Sequence, residues 1–289
     1  MGIPANPDAA GGAARSVLKQ RIATAIVLVV LLLACLFLLP GIGWQILTCL
    51  PIALAAREWA RLASYRPAAS VVFVGAVLAS CIAIIAFILM SAQPAALGKV
   101  AGVVLVAALL FWVIAVPLWL NRGWQMKHPL LLGVTGWIVL VPAWLAAAFL
   151  QKSPWLLLAM LLVVWIADTA AYFAGRRFGR HKLAPQISPG KTWEGVAGAF
   201  VAVLVYGLAA SFLLQPTANV YDRLAMSMFF IALTILGIVG DLFESWIKRG
   251  AGVKDSGALL PGHGGILDRI DSLTAALPFA ALYFLPALW

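Results

Sequence analysis

Asp241, Glu244, Ser245 and Lys248 stand at i, i+3, i+4 and i+7, a spacing that puts all four on one face of a helix. They open residues 241–271, which hold five of the ten acidic residues of the chain (Asp241, Glu244, Asp255, Asp268 and Asp271) with Lys248, Arg249, Lys254 and Arg269 among them. Gly250, Gly252, Gly257, Pro261, Gly262, Gly264 and Gly265 fill the middle, so turns and close backbone approach are expected there. Asp268 and Asp271 stand three apart as an apolar run resumes; if that run is already helical, the two carboxylates project to one side. Oxygen ligands beside lysines, arginines and bare backbone N–H groups suit a hard cation that holds a polyphosphate. The competing reading is a loop of mutually paired charges.

Residues 168–194 carry the second polar cluster. The hydropathy pattern places Asp168 about six residues inside the end of an apolar span, roughly 9 Å at helical rise. An ionisable group at such depth defaults to a functional role unless it merely pairs with a neighbouring helix. Tyr172 lies one turn further on the same face. Ser188-Pro189-Gly190-Lys191-Thr192 resembles a phosphate loop only in part, because Pro185 occupies the position where the Walker pattern needs glycine. A glycine turn, a lysine and a following helix N-terminus remain as expectations, and these can hold a phosphate. Arg176, Arg177, Arg180 and Lys182 read as lipid-surface charges, and His128 and His181 as interfacial.

The elements that must position these groups are membrane helices. The chain has 289 residues, is 64% hydrophobic and only 10% charged, and has a mean hydropathy of +1.03. That exceeds what a soluble core needs, and apolar runs of span length recur. An all-α polytopic membrane protein with nine spans follows, at about 22–39, 42–56, 69–91, 98–120, 130–150, 155–174, 195–214, 225–240 and 273–288. The short second span, with Gln45 and Pro51, is the weakest of them. With the N-terminus cytoplasmic, only Lys99, Lys152 and Arg223 of the twenty basic residues fall outside. The net charge of +10 is therefore a topology signal and does not point to nucleic acid. Residues 1–21 read as a cytoplasmic tail and 22–150 as an N-terminal helical part. Residues 151–289 read as the catalytic part, with polar loops 168–194 and 241–272. Cys35, Cys49 and Cys81 show no metal or disulfide spacing and read as small apolar residues. Leu33 argues against a lipoprotein cleavage box ending at Cys35, and the first apolar run is expected to stay as a span.

The run Ser245-x-Ile247-Lys248-Arg249-x4-Lys254-Asp255-x-Gly257-x2-Leu260-Pro261-x-His263-Gly264-Gly265-Ile266-x-Asp268-Arg269-Ile270-Asp271 resembles, at every fixed position, the signature of the phosphatidate cytidylyltransferases. The stretch from Ser188 to Gly195 is similar to a second motif of that family. The resemblance implies conversion of phosphatidic acid and CTP to CDP-diacylglycerol and pyrophosphate. It implies Mg²⁺, a second cation such as K⁺, a homodimer, and a bacterial inner membrane with the site on the cytoplasmic face. Carried onto this sequence, it makes Asp268, Asp271, Lys254, Asp255 and His263 the catalytic candidates. Substrate contacts fall to Ser188, Lys191, Thr192, Ser245, Lys248, Arg249 and Arg269. Asp241 and Asp268 are expected as direct Mg²⁺ ligands, with Glu244 and Asp168 near the metal and Asp271 and Asp255 as alternatives.

Two rivals stay open. A CTP-dependent polyprenol or phytol kinase would share this architecture. A transporter using Asp168 would need polar groups on both membrane faces, whereas nearly all of them sort to one side.

Overall fold

The computed structural model describes residues 24–90, 94–214, 217–259 and 264–287. The tail at 1–21 lies outside the described residues, as does His263. Among the described residues the chain is helical apart from one two-stranded hairpin. Helices α1 (Thr24–Leu38), α2 (Gly41–Leu62) and α3 (Pro67–Met90) come first. Next, α4 (Pro94–Leu110) passes through a π-helical turn, Phe111–Ala115, into α5 (Val116–Arg122). Pro117 has no N–H to donate one turn back, and the π turn lies against that missing bond. Then come α6 (Pro129–Leu150) and α7 (Pro154–Phe178), strands β1 (Lys182–Ala184) and β2 (Ser188–Thr192), and helices α8 (Trp193–Leu214), α9 (Val220–Gly250) and α10 (Leu267–Phe284).

Each expected span coincides with a helix, but among the described residues six helices are long and apolar enough to cross a membrane on length and composition. These are α3, α4–α5, α6, α7, α8 and α9. The other three fall short for visible reasons. The described part of α1 is short; α2 carries Gln45, Arg57, Glu58 and Arg61; α10 opens with Asp268, Arg269 and Asp271.

Helix α10 is the hub: it packs on α9, α6, α4 and α7 and touches α2. Its buried face is built of Ala275, Ala276, Ala280 and Ala281, small side chains that let helix backbones approach. Phe243 on α9 is fully enclosed and meets Phe111, Trp112 and Trp119 edge-on, with ring centroids 5.8, 5.6 and 5.2 Å away. That contact fixes the rotation of α9 at the turn that carries Asp241 and Glu244.

Two local expectations are corrected. First, α7 does not stop at 174 but runs to Phe178, so Asp168 lies ten residues, about 15 Å, from its end. Ala170 and Ala174 stack against Gly198 of α8, and Gly175 against Gly195, and this close contact carries the helix on. Second, Gly190 is not in a turn. Ser188–Thr192 is an extended strand, antiparallel to β1 with Lys182 opposite Thr192, and the turn falls at Pro185–Gln186–Ile187.

Candidate active site

Lys191, projecting from β2, pairs with Asp241 of α9 at 2.5 Å. Asp168 of α7 lies within electrostatic reach of both. One turn along α9, Glu244 lies close to Asp271 of α10, within electrostatic reach. Lys248 completes the arrangement, 2.7 Å from Asp268 and 3.3 Å from Glu244. Four elements thus bring together five carboxylates (Asp168, Asp241, Glu244, Asp268, Asp271) and two ammonium groups. The i, i+3, i+4, i+7 face expected on α9 is present, with Ser245 Oγ donating to Asp241 at 3.3 Å. Asp268 and Asp271 both sit on the first turns of α10, which begins at Leu267 rather than after Asp271.

Asp268 holds the loop between α9 and α10. It accepts hydrogen bonds from the N–H of Ser256 (3.2 and 3.0 Å), the N–H of Gly265 (2.8 Å) and Lys248 (2.7 Å). Burial raises its pKa, but Lys248 and these N–H groups outweigh burial and hold the carboxyl below the usual range. Arg249 reaches the carbonyls of Ile187 (3.3 Å) and Val253 (3.2 Å), tying the hairpin to the same loop.

Other expected residues are placed differently. The Thr192 hydroxyl accepts the N–H of Gly195 (3.1 Å) and so caps α8. Ser188 sits at the start of β2, half-buried. Lys254 and Asp255 are exposed on the loop and make no ion pair with the cluster.

One residue that sequence reasoning passed over is central. Glu58 of α2 is 4% exposed, and its carboxylate accepts from Ser256 Oγ (2.9 Å) and from the N–H groups of Ile266 (3.1 Å) and Leu267 (2.8 Å). The one signal for it was that Glu58 is the only acidic residue between Asp8 and Asp168.

Beside the cluster opens a largely apolar groove of about 740 Å³ between α1, α2, α6, α7 and α10. Val29, Leu32, Ile52, Ala147, Leu161 and Leu273 are among its walls, and Asp168, Thr169 and Arg269 also line it.

The cluster fits a divalent cation in its chemistry. Carboxylates outnumber ammonium groups, and both Glu244 oxygens are buried without a hydrogen-bond donor; Lys248 approaches one of them without the alignment of a hydrogen bond. Among the described residues, no three His, Cys, Asp or Glu side chains are grouped as a ready-made metal cage. Mg²⁺ does not require one, since it takes one or two carboxylates and completes its shell with water and phosphate.

The helical bundle with a carboxylate–lysine cluster beside an apolar groove defines a membrane-embedded enzyme of phosphate chemistry. Residues 19–286 match the sequence profile of the cytidylyltransferase family, and the chain belongs to that family. It is 40% identical over 273 residues to a phosphatidate cytidylyltransferase of Pseudomonas aeruginosa, covering 92% of this chain and 96% of that one. A phosphatidate cytidylyltransferase of Haemophilus influenzae is 50% identical over 135 residues, 45% of each chain. One of Staphylococcus haemolyticus is 48% identical over 122 residues, 42% of this chain and 46% of the relative.

Proposed function

We propose that this protein transfers CMP from CTP to phosphatidic acid, forming CDP-diacylglycerol and pyrophosphate. The observation that carries the proposal is the meeting of two environments at one place: the acid–lysine cluster, and an apolar groove lined also by Arg269 and Asp168. A lipid phosphate needs both. Its acyl chains enter the groove, Arg269 takes its phosphate, and CTP approaches the cluster from water.

The phosphate monoester of the lipid is an anionic nucleophile near neutral pH, with a second pKa of about 6, so no side-chain nucleophile is required. A lipid phosphate oxygen forms the new bond to the α-phosphorus of CTP, and the bond to pyrophosphate breaks. The barrier is anion meeting anion, which positioning and charge neutralisation must overcome. Lys191, Arg249, Lys254 and Arg269 are assigned to the phosphates. Asp241, Glu244 and Asp271 are assigned to Mg²⁺, with Asp168 behind them; both Glu244 oxygens lack a hydrogen-bond donor. Bound there, Mg²⁺ would neutralise charge on the triphosphate. Asp268 keeps Lys248 and the loop in register.

The membrane reading is that α1, α2 and α10, the last from residue 273 onward, also cross, giving nine spans. The N-terminus and the cluster then face the cytoplasm of a bacterial inner membrane. Helix α3 is the least covered of the candidate spans, 11% buried, and offers the surface for a homodimer.

The test follows label. Purified protein receives phosphatidic acid, Mg²⁺ and CTP labelled at the α- or the γ-phosphate. The proposal expects α-label in the lipid phase and γ-label in pyrophosphate. Transfer of γ-label to a polyprenol would make the protein a lipid kinase instead.

A further inference from the structure

We propose that Glu58 is a positioning residue for this reaction: from α2 it sets the loop that aligns Asp268 and Lys248. The inference rests on the function proposed above.

A carboxylate at 4% exposure must be fully hydrogen-bonded to be tolerated. Glu58 meets that demand entirely with donors from residues about two hundred positions away. Oε2 accepts from Ser256 Oγ (2.9 Å) and the N–H of Leu267 (2.8 Å), and Oε1 accepts from the N–H of Ile266 (3.1 Å). These two N–H groups belong to the N-terminus of α10, where backbone donors have no partner within the helix and the dipole favours a negative charge. One carboxylate therefore grips the loop at Ser256 and at its junction with α10. Arg61, one turn along α2, donates to the carbonyl of Ser256 at 2.7 Å and fixes it from the other side.

Ser256 relays the grip. Its hydroxyl goes to Glu58, while its N–H goes to both oxygens of Asp268. Asp268 in turn holds Lys248, which stands beside Glu244. The loop glycines fit the same scheme: a Cβ on either Gly257 or Gly265 would fall onto the Glu58 carboxylate. These two positions are glycine because Glu58 occupies the space.

The experiment compares wild type, Glu58→Gln, Ser256→Ala and the double variant as full chains in detergent, by CMP transfer and by amide hydrogen exchange. The amide of Glu58→Gln keeps one accepting oxygen but turns its NH2 toward a backbone N–H that also donates, so the grip is weakened at Ile266 or Leu267 with little change of shape. A small misplacement of aligned groups costs about 100-fold in rate; kcat of Glu58→Gln should fall by about that factor, with KM for CTP near wild type. Exchange at Ile266 and Leu267 should quicken. Ser256→Ala should show a smaller loss, and the double variant should be no worse than Glu58→Gln alone. A folded Glu58→Gln with wild-type kcat, or with unchanged exchange at 266–267, would overturn the proposal. If Glu58→Gln does not fold, an unchanged kcat in Ser256→Ala overturns it equally. Should the wild type itself transfer no CMP, the functional reading fails, and the exchange data still decide whether Glu58 holds the loop.

Discussion

Lys248 is the most demanding side chain of the cluster. It is 8% exposed and lies between Glu244 and Asp268. Removing one partner of a buried ion pair leaves the other charge uncompensated. Lys248→Met should therefore destabilise the protein by about 3–5 kcal/mol, read as a lower melting temperature in detergent; an unchanged melting temperature would mean that water reaches these carboxylates. Lys191 differs, because its ammonium and its partner Asp241 are about a quarter exposed. Lys191→Ala should cost less stability than Lys248→Met, since its pair is the more exposed of the two. It should act on turnover, with kcat falling by about 100-fold as one phosphate-neutralising charge is lost. Steady-state kinetics beside thermal melts separate the two lysines.

At the scale of elements, the groove gives the sharpest expectation. Val29 on α1 lines it and is 39% exposed, so a larger side chain there fills space without displacing the core. Val29→Trp should raise KM for phosphatidic acid by about tenfold, as expected for crowding an apolar pocket, and leave KM for CTP unchanged. The elements also explain what the sequence could and could not reveal. Apolar run length located each helix, because a span is a one-dimensional property. The faces of α9 and the start of α10 were legible for a similar reason: i, i+3, i+4 spacing is local. The strand at Ser188–Thr192 was not, because its partner is β1 and pairing is not written in the glycine and proline of that segment. The extension of α7 to Phe178 depends on Gly195 and Gly198 of α8, which no local pattern displays. Glu58 was hidden most deeply. Flanked by Arg57 and Arg61, it looked like part of a basic span end, and its meaning appears only once α2 meets a loop near the other end of the chain.

For the whole molecule, helices on both sides of residue 150 meet at the candidate site. The cluster comes from α7, β2, α9 and α10, but α2 holds the loop and α1, α2 and α6 complete the groove. The N-terminal helices are thus part of the site as well as its anchor. Orientation is tested by single cysteines in a background lacking Cys35, Cys49 and Cys81. With the site cytoplasmic, cysteines at Arg180 and Lys254 should react with a membrane-impermeant reagent only from the cytoplasmic side, and those at Lys152 and Arg223 only from the other. Labelling of both groups from one side would contradict the sorting of basic residues.

The central claim is that the clustered carboxylates and lysines join CMP to a lipid phosphate. The most direct test measures CDP-diacylglycerol and pyrophosphate formed by purified wild type and by Asp268→Asn, from phosphatidic acid and CTP, with and without Mg²⁺. The account predicts equal amounts of both products from wild type, only with Mg²⁺, and none from a folded Asp268→Asn. CDP-diacylglycerol formed at the wild-type rate by Asp268→Asn, or no product from folded wild type, would contradict it.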